Sequence, residues 1–321
     1  MLRRSEGHEA AVERAVAGGG AARSAIAASW SRSARLYGHD PVAAPSQDRL
    51  TAAELALARE RVGPLLHIAA PNLERLFQAV GGVGCCVMLA DKDGVPIDRR
   101  GAAAEDTTFA DWGLWIGTRW SEAVQGTNGI GTALVEQRRV IIHRDQHFFS
   151  RNAALSCMSA PIWGPTGKLQ AVLDVSSARE SLTPAFAQLI GQFVDETAQR
   201  IEAESFAAAH PGARITVLPG VTGQTALLAV NADDLVIGAT RAARHHLGLP
   251  ADLVPRPAAD LLGLAHPDRL EDGERATLLR ALARHSGNAS AAARALGISR
   301  ATFYRKLGRA ASENPGDLSQ F

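Results

Sequence analysis

The chain has 321 residues, a formal charge of +1 and an apolar fraction of 46%. That length holds two or three domains with cores of their own, and the near-neutral charge excludes a protein that coats nucleic acid over its whole surface. No stretch approaches the roughly 20 apolar residues of a membrane span, the first residues lack an apolar signal core, and three cysteines (two adjacent, Cys85 and Cys86) give neither a disulfide framework nor a CxxC metal spacing, so a cytoplasmic protein with no membrane partner is expected.

Residues 1–20 are polar, Ala-rich and close on Gly18-Gly19-Gly20, which predicts disorder. Two helices are expected within residues 21–62. The first, Ala21 to Tyr37, aligns Ile26, Trp30, Ala34 and Tyr37 on one face. The second, about Thr51 to Arg61, opens with Thr51 ahead of Glu54, a capping-box pattern. Pro64 opens a third helix with Leu65, Ile68, Leu73, Leu76, Phe77 and Val80 on its apolar face. Pro71 inside it predicts a kink or a break, and Gly81-Gly82 ends it. CCVMLADKDGVPIDRRG then reads as strand, tight turn on Asp93-Gly94, strand.

Residues 112–150 are the least regular part, rich in Gly and Trp. GTNGIGTAL invites a phosphate-loop reading, but it does not complete GxGxxG and lacks the GK[ST] ending of a Walker loop. GPTGK, from Gly164 to Lys168, also lacks the required first Gly and is expected to be a hairpin turn between the antiparallel strands SAPIW and LQAVLDVSS. Irregular loops over a sheet are a place for an apolar pocket with a few polar groups. The candidate wall residues are Cys86, Met88, Trp112, Trp115, Trp120, Asn128, Thr132, His143, Cys157 and Met158, each of which is otherwise a core or loop-packing residue. Cys85, Cys86 and Cys157 read first as small buried apolar residues. The sharper alternatives are a thiol or metal redox sensor, or a thiol reductase enzyme, although no Lys or Arg flanks these thiols closely. His143 and His147 stand four apart in what reads as strand and loop, so no metal and no cofactor is expected.

The helix from Thr183 to about Ala208 carries Phe186, Leu189, Phe193, Thr197 and Ile201 at spacings of three and four, part to pack on the sheet and part available to a parallel dimer seam. ITVLP, TALLAV, LVIGA and RAARHHLGL make a small strand–turn–strand–helix piece over 213–249. Residues 250–273, with four prolines, read as a linker.

Residues 274–309 read as three helices. Leu278, Leu279 and Leu282 face inward from the first, and Ala292, Ala293 and Leu296 from the second; Gly297-Ile298 turns, Ser299 caps, and the third begins at Arg300. Eight Lys or Arg against one acid give this span +7, in a chain whose total is +1, so the unit is built to meet a polyanion. On a helix of this kind the N-terminal end enters the major groove, which nominates Arg300 for a guanine edge and Ser299 and Thr302 for bases or phosphates. Tyr304, Arg305 and Lys306 are expected on the DNA backbone, with Asn288 and Ser290 on a phosphate near the preceding helix. Phe303 and Leu307 are expected in the core. Residues 310–321 read as a disordered tail.

GNASAAARALGISRATFYRKLG resembles the Fis-type helix-turn-helix that ends many bacterial transcription regulators. The earlier part resembles a GAF domain, in particular the N-terminal half of acetoin-catabolism-type regulators. The carrying motifs are SWSR (29–32), WSE…GTNxxGT (120–132), His147-Phe148 and CxxxPI…LDxS (157–176), within residues 23–205. Residues 213–249 are similar to a shortened PAS domain. The resemblance implies an α+β multidomain fold: an N-terminal helical segment (21–62), a GAF-like sensor with an antiparallel sheet (63–208), a short PAS-like α/β piece and a C-terminal all-α helix-turn-helix. It implies a DNA-binding transcription regulator, not an enzyme, that senses a small-molecule effector and binds its operator as a homodimer, with double-stranded DNA and RNA polymerase as partners. Such regulators usually carry an ATP-driven domain between sensor and helix-turn-helix, which remodels sigma-54 polymerase. Here about 65 residues separate the two and none forms a Walker loop, so ATP hydrolysis is not expected.

Overall fold

A computed structural model describes residues 2–18, 24–44, 48–221, 225–250, 252–253, 255–263, 270–285 and 287–313. They form two compact units, 1–258 and 259–321.

The first unit begins with helix α1 (Leu2–Ala17), where the composition predicted disorder. Its order is tertiary in origin: Val12 is buried against Phe148 and Phe149, and His8 Nε2 lies 3.0 Å from the Phe148 carbonyl. Gly19 and Gly20 lie outside the described residues. Helix α2 (Ala25–Ser31) runs on as a π-helical stretch, Arg32–Leu36. The start of the expected helix, residues 21–23, lies outside the described residues. Helix α3 (Ala52–Val62) opens with the capping box: Glu54 N donates to Thr51 Oγ1 at 3.3 Å and Thr51 N donates back to Glu54 Oε2 at 2.8 Å.

Of the kink or break that the sequence predicts at Pro71, there is no break: helix α4 (Pro64–Val80) runs on through it. An interior Pro costs about 3 kcal/mol. Leu65, Ala69, Leu73, Leu76 and Val80 are all buried on both sides of it, and each buried Leu recovers roughly 1.5–3 kcal/mol, so packing wins.

Strands β1 (Cys85–Asp91) and β2 (Pro96–Arg100) form the expected hairpin, with Gly94 at φ 79°. Short helices α5 (Asp106–Asp111), α6 (Glu122–Gln125) and α7 (Gly129–Glu136) occupy the irregular middle, before β3 (Val140–His143). Strands β4 (Ser156–Trp163) and β5 (Leu169–Ser177) pair antiparallel across the GPTGK turn. The sheet order is β2-β1-β5-β4-β3, antiparallel throughout.

Helix α8 (Pro184–Ala209), capped by Thr183, lies with α4 on one face of this sheet. The stripe expected along α8 divides. Thr197 and Ile201 are buried in line with Ala187, Ile190, Val194 and Ala198, whereas Phe186, Leu189 and Phe193 form the adjacent, outward row and stay 40–51% exposed. The opposite face of the sheet carries α7, α5 and the loops, and it buries a second core of Cys86, Met88, Ala90, Phe109, Leu114, Trp120, Ile130 and Cys157.

A second sheet follows, order β6-β7-β8-β9: β6 (Arg214–Val217), β7 (Leu227–Val230), β8 (Leu235–Ala239) and β9 (Arg256–Pro257). Helix α9 (Arg241–Leu247) packs on β7 and β8, and Phe206 from the end of α8 is buried against Leu227 and Ala229. The span 250–273 was expected to be a linker throughout. It contains β9, helix α10 (Ala258–Leu261) and the start of α11 (Leu270–Arg284), while 264–269 lie outside the described residues. Pro257 is accommodated because a short edge strand tolerates a missing N–H.

The second unit is a three-helix cluster of α11, α12 (Ala289–Ala295) and α13 (Arg300–Glu313), so helix replaces the start of the expected disordered tail; residues 314–321 lie outside the described ones. Leu278, Ala281, Leu282, Ala289, Ala292, Ala293 and Phe303 close its core. Alanines at 289, 292 and 293 let the short helices approach closely.

Candidate functional site

In the helical unit the turn between α12 and α13 is set by local chemistry. Gly297 adopts φ 66°, a left-handed conformation, and Ser299 Oγ accepts from Thr302 N at 3.1 Å to cap α13. Ser299 and Thr302 hydroxyls lie 2.9 Å apart. Phe303 points inward and is fully buried. On the exposed side the Arg300 guanidinium lies 5.5 Å from the centre of the Tyr304 ring, one helical turn along. Arg305 is exposed, and Lys306 pairs with Glu274 of α11. Asn288 caps α12 through its side-chain oxygen, which accepts from Ser290 N and Ala291 N at 3.1 Å. The exposed surface around the α12–α13 turn therefore carries Arg294, Arg300 and Arg305, while Asn288 and Ser299 already have intramolecular partners.

In the first unit the motif residues converge on two buried polar networks. Ser29 Oγ donates to Glu122 Oε1 at 2.6 Å and lies 2.7 Å from Thr127 Oγ1 and 3.3 Å from Thr132 Oγ1. Arg32 grips the same carboxylate and also reaches Glu136 at 2.9 Å. SWSR, WSE and GTNGIGT thus form a clasp that fastens α2 to α6 and α7. Asn128 belongs to it as the α7 cap: its oxygen accepts from Gly131 N and its amide donates to the Gly126 carbonyl, both at 2.8 Å.

The second network joins His147 to CxxxPI…LDxS. Asp174 accepts from Ser176 Oγ at 2.7 Å and from Ser159 Oγ, and His147 Nε2 lies 3.4 Å from Cys157 Sγ. His147 Nδ1 faces the Arg144 carbonyl at 2.9 Å, so Nδ1 carries the proton and Nε2 receives the Cys157 S–H. Burial pushes Asp174 up to about 6 and His147 down to about 4. Burial raises all three thiols, Cys85 to about 11, and the charge of Asp174 raises Cys157 further. Cys86 and Cys157 both pair with Ser176, on the strand between them. Two strand spacings put them roughly 9–10 Å apart, beyond the ~7 Å limit for a disulfide, and Cys85 faces the other core. These thiols are packed and protonated, which argues against the redox and reductase alternatives.

The ten nominated wall residues do not enclose one pocket. Cys86, Met88, Trp120 and Cys157 are packed together, with Trp112 against them. Asn128 and Thr132 are spent in the clasp. Met158 falls on the helix side of the sheet, because strand alternation sends it opposite to Cys157. His143, bonded to Ser156 Oγ at 2.9 Å, and Thr132 line an open groove of about 450 Å³ beside the edge strand β3. Trp115 stacks 4.3 Å from the Arg99 guanidinium, a residue the sequence reading did not nominate. Glu122 and Asp174 stand inside the WSE and LDxS motifs, and nothing local in the sequence marks either carboxylate as the centre of a network. Among the described residues no group of three or more His, Cys, Asp or Glu is arranged to hold a metal.

A three-helix unit with a tight turn, a buried Phe and an arginine-bearing exposed helix end is that of a DNA-binding regulatory protein, and residues 269–309 match the family "Bacterial regulatory protein, Fis family". Residues 8–191 match "MimR, N-terminal domain", more than half of the chain, and the chain belongs to that family. It is 32% identical over 240 residues to the "Acetoin catabolism regulatory protein" of Cupriavidus necator, covering 73% of this chain and 36% of that one. It is 32% identical over 168 residues to the "Propane 2-monooxygenase operon transcriptional activator MimR" of Mycolicibacterium smegmatis, covering 51% of this chain and 27% of that one. The chain thus spans about a third or less of these relatives' lengths. The fold is similar to that in the crystal structure of the E. coli DhaR(N)-DhaL complex, with a TM-score of 0.52 and 17% identity over 74% of this chain and 81% of that one. No helix among the described residues is long and apolar enough to cross a membrane.

Proposed function

We propose that the chain is a sequence-specific, cytoplasmic transcription regulator whose GAF-like domain (63–208) senses a small molecule and controls operator binding by a dimer without ATP hydrolysis. The observation that carries this reading is the exposed Arg300 at the start of α13, braced by Tyr304 on a helix locked through Phe303. In the bound complex the first turn of α13 enters the major groove, where the Arg300 fork meets guanine O6 and N7. Ser299 and Thr302 contact bases or phosphates, and Tyr304, Arg305, Lys306, Asn288 and Ser290 hold the DNA backbone.

Helix α8 is the relay, since it packs on the first sheet and ends against the second, PAS-like one. Its outward row of Phe186, Leu189 and Phe193 faces a second copy. Of the two relatives named above, one is a catabolism regulatory protein and the other an operon transcriptional activator. By analogy this chain acts on transcription through RNA polymerase, as activator or repressor. Binding-site selection with the full chain is expected to return a defined motif, and removal of residues 274–321 to abolish it. A chain that binds operator equally well before and after that removal is not the regulator proposed. Effector affinity that is identical with and without operator excludes the coupling.

A further inference from the structure

We propose that Arg99 is the anchor for a small monocarboxylate bound on the loop face of the first sheet. This rests on the sensing reading above and names the chemistry of the effector and the residue that receives it.

Arg99 lies on β2 opposite Met88. A register shift between Leu89 and Ala90 breaks the alternation along the hairpin, so that Ile97 enters the helix-side core while Arg99 turns to the loop side. Its side chain is only 8% exposed. Nη1 donates to Asp106 Oδ1 at 2.8 Å, and the Trp115 and Phe109 rings stand 4.3 and 5.6 Å from the guanidinium carbon. The remaining edge, Nε and Nη2, is buried and has no hydrogen-bond partner among the described residues. Buried donors on a charged group are rarely left so.

The same protein shows what fits that edge. Arg32 uses Nε and Nη2 to hold the two oxygens of Glu122, at 2.8 and 2.9 Å. Two parallel N–H groups match a planar carboxylate. The surroundings select further. Asp106 offsets the arginine charge, which favours a monoanion over a phosphate dianion. Met88, Phe109 and Leu114 nearby are apolar and buried, so the rest of the molecule is short and apolar. Gly101 lies directly against this edge, since a Cβ there would stand 2.4 Å from Nη2 and 2.7 Å from the guanidinium carbon. The 101–115 segment, with α5, covers the site and has to shift as a guest enters.

The test titrates the full chain, with ¹⁵N-labelled arginine, with straight-chain monocarboxylates from acetate to hexanoate and with their primary amides. The Arg99 Nε–H resonance and tryptophan fluorescence are followed. At least one acid is expected to shift the Arg99 resonance and change the fluorescence while its amide does neither. Arg99→Lys is expected to weaken binding about tenfold or more, and Arg99→Met to abolish it. The wild-type resonance needs no variant to fold. If no acid in the series moves it, if the amides move it equally, or if inorganic phosphate moves it as strongly, the assignment is wrong. A carboxylate that binds at Arg99 without changing operator affinity leaves the site standing and removes the sensing reading. Another small molecule that changes operator affinity while no acid reaches Arg99 does the reverse.

Discussion

Arg32 holds both oxygens of Glu122, Nε to Oε2 at 2.8 Å and Nη2 to Oε1 at 2.9 Å, across 90 residues of sequence. Glu122 is fully buried and Arg32 is 24% exposed, so the pair is asymmetric. Removing the arginine strands a buried carboxylate, which costs about 3–5 kcal/mol. Arg32→Ala is therefore expected to lose about 3 kcal/mol in urea unfolding. Glu122→Gln should lose less, because Arg32 keeps Glu136 and its path to water. The double variant should lose less than the sum of the two. Strict additivity would show that the clasp is not a coupled unit.

Asp174 and His147 tie stability to pH with opposite signs. The Asp174 carboxyl rises from 3.8 to about 6 on folding, so the folded state holds its proton more tightly. Its contribution is present below pH 3.8 and is lost as pH rises through about 6. That amounts to about 3 kcal/mol at 1.36 kcal/mol per pH unit. His147 falls from 6.5 to about 4, so its contribution is present above pH 6.5 and lost as pH falls towards about 4. Asp174→Asn is therefore expected to gain on the wild type by about 3 kcal/mol between pH 4 and 6. His147→Gln should gain in the other direction as pH falls. Parallel pH–stability curves for wild type and Asp174→Asn would mean that Asp174 does not titrate in this window.

The two glycines of the GIG step are held by close packing. A Cβ at Gly131 would meet the Glu122 nitrogen and the Trp120 carbonyl, both at 2.6 Å. At Gly129 it would meet Ser159 Oγ at 2.3 Å and Cys157 Cβ at 2.6 Å. Backbone cannot swing away, so Gly131→Ala is expected to cost about 3 kcal/mol or to prevent folding, the upper end for overpacking. Gly297→Ala meets nothing within 4 Å and carries only its φ of 66°, for a cost of about 1–2 kcal/mol. The reverse order in thermal melts would contradict the packing described.

What was legible in the sequence followed local rules. The β1–β2 and β4–β5 hairpins, the caps at Thr51 and Ser299, and the buried Phe303 all follow from periodicity and turn chemistry within a dozen residues. What was not legible needed distant partners. Helix α1 is ordered by Phe148 and Phe149, and Glu122 acquires its role from Ser29 and Arg32. Arg99 was hidden by the irregular β1–β2 register, since strict alternation would seat it on the same face as Ile97. Met158 was misplaced for a simpler reason: as the neighbour of Cys157 in a strand, it had to face the other way.

Arg300 and Arg305 are expected to fail differently on DNA. Arg300 sits on the first turn of α13 against Tyr304, the position proposed above for a base edge, and Arg305 lies further along the exposed face. Arg300→Ala should cost about 1–3 kcal/mol at the preferred site, far less at unrelated sequence, and broaden the selected motif. Arg305→Ala should weaken specific and non-specific binding alike and lower the slope of log affinity against log salt by about 0.9, the loss of one phosphate contact. Phe303→Ala reports on the scaffold: with its ring fully buried, it should lose about 3–5 kcal/mol of stability and abolish both modes together. An Arg300→Ala chain that selects the same motif as wild type, with only a uniform loss of affinity, would move Arg300 to the phosphate backbone and leave base reading to another residue of α13.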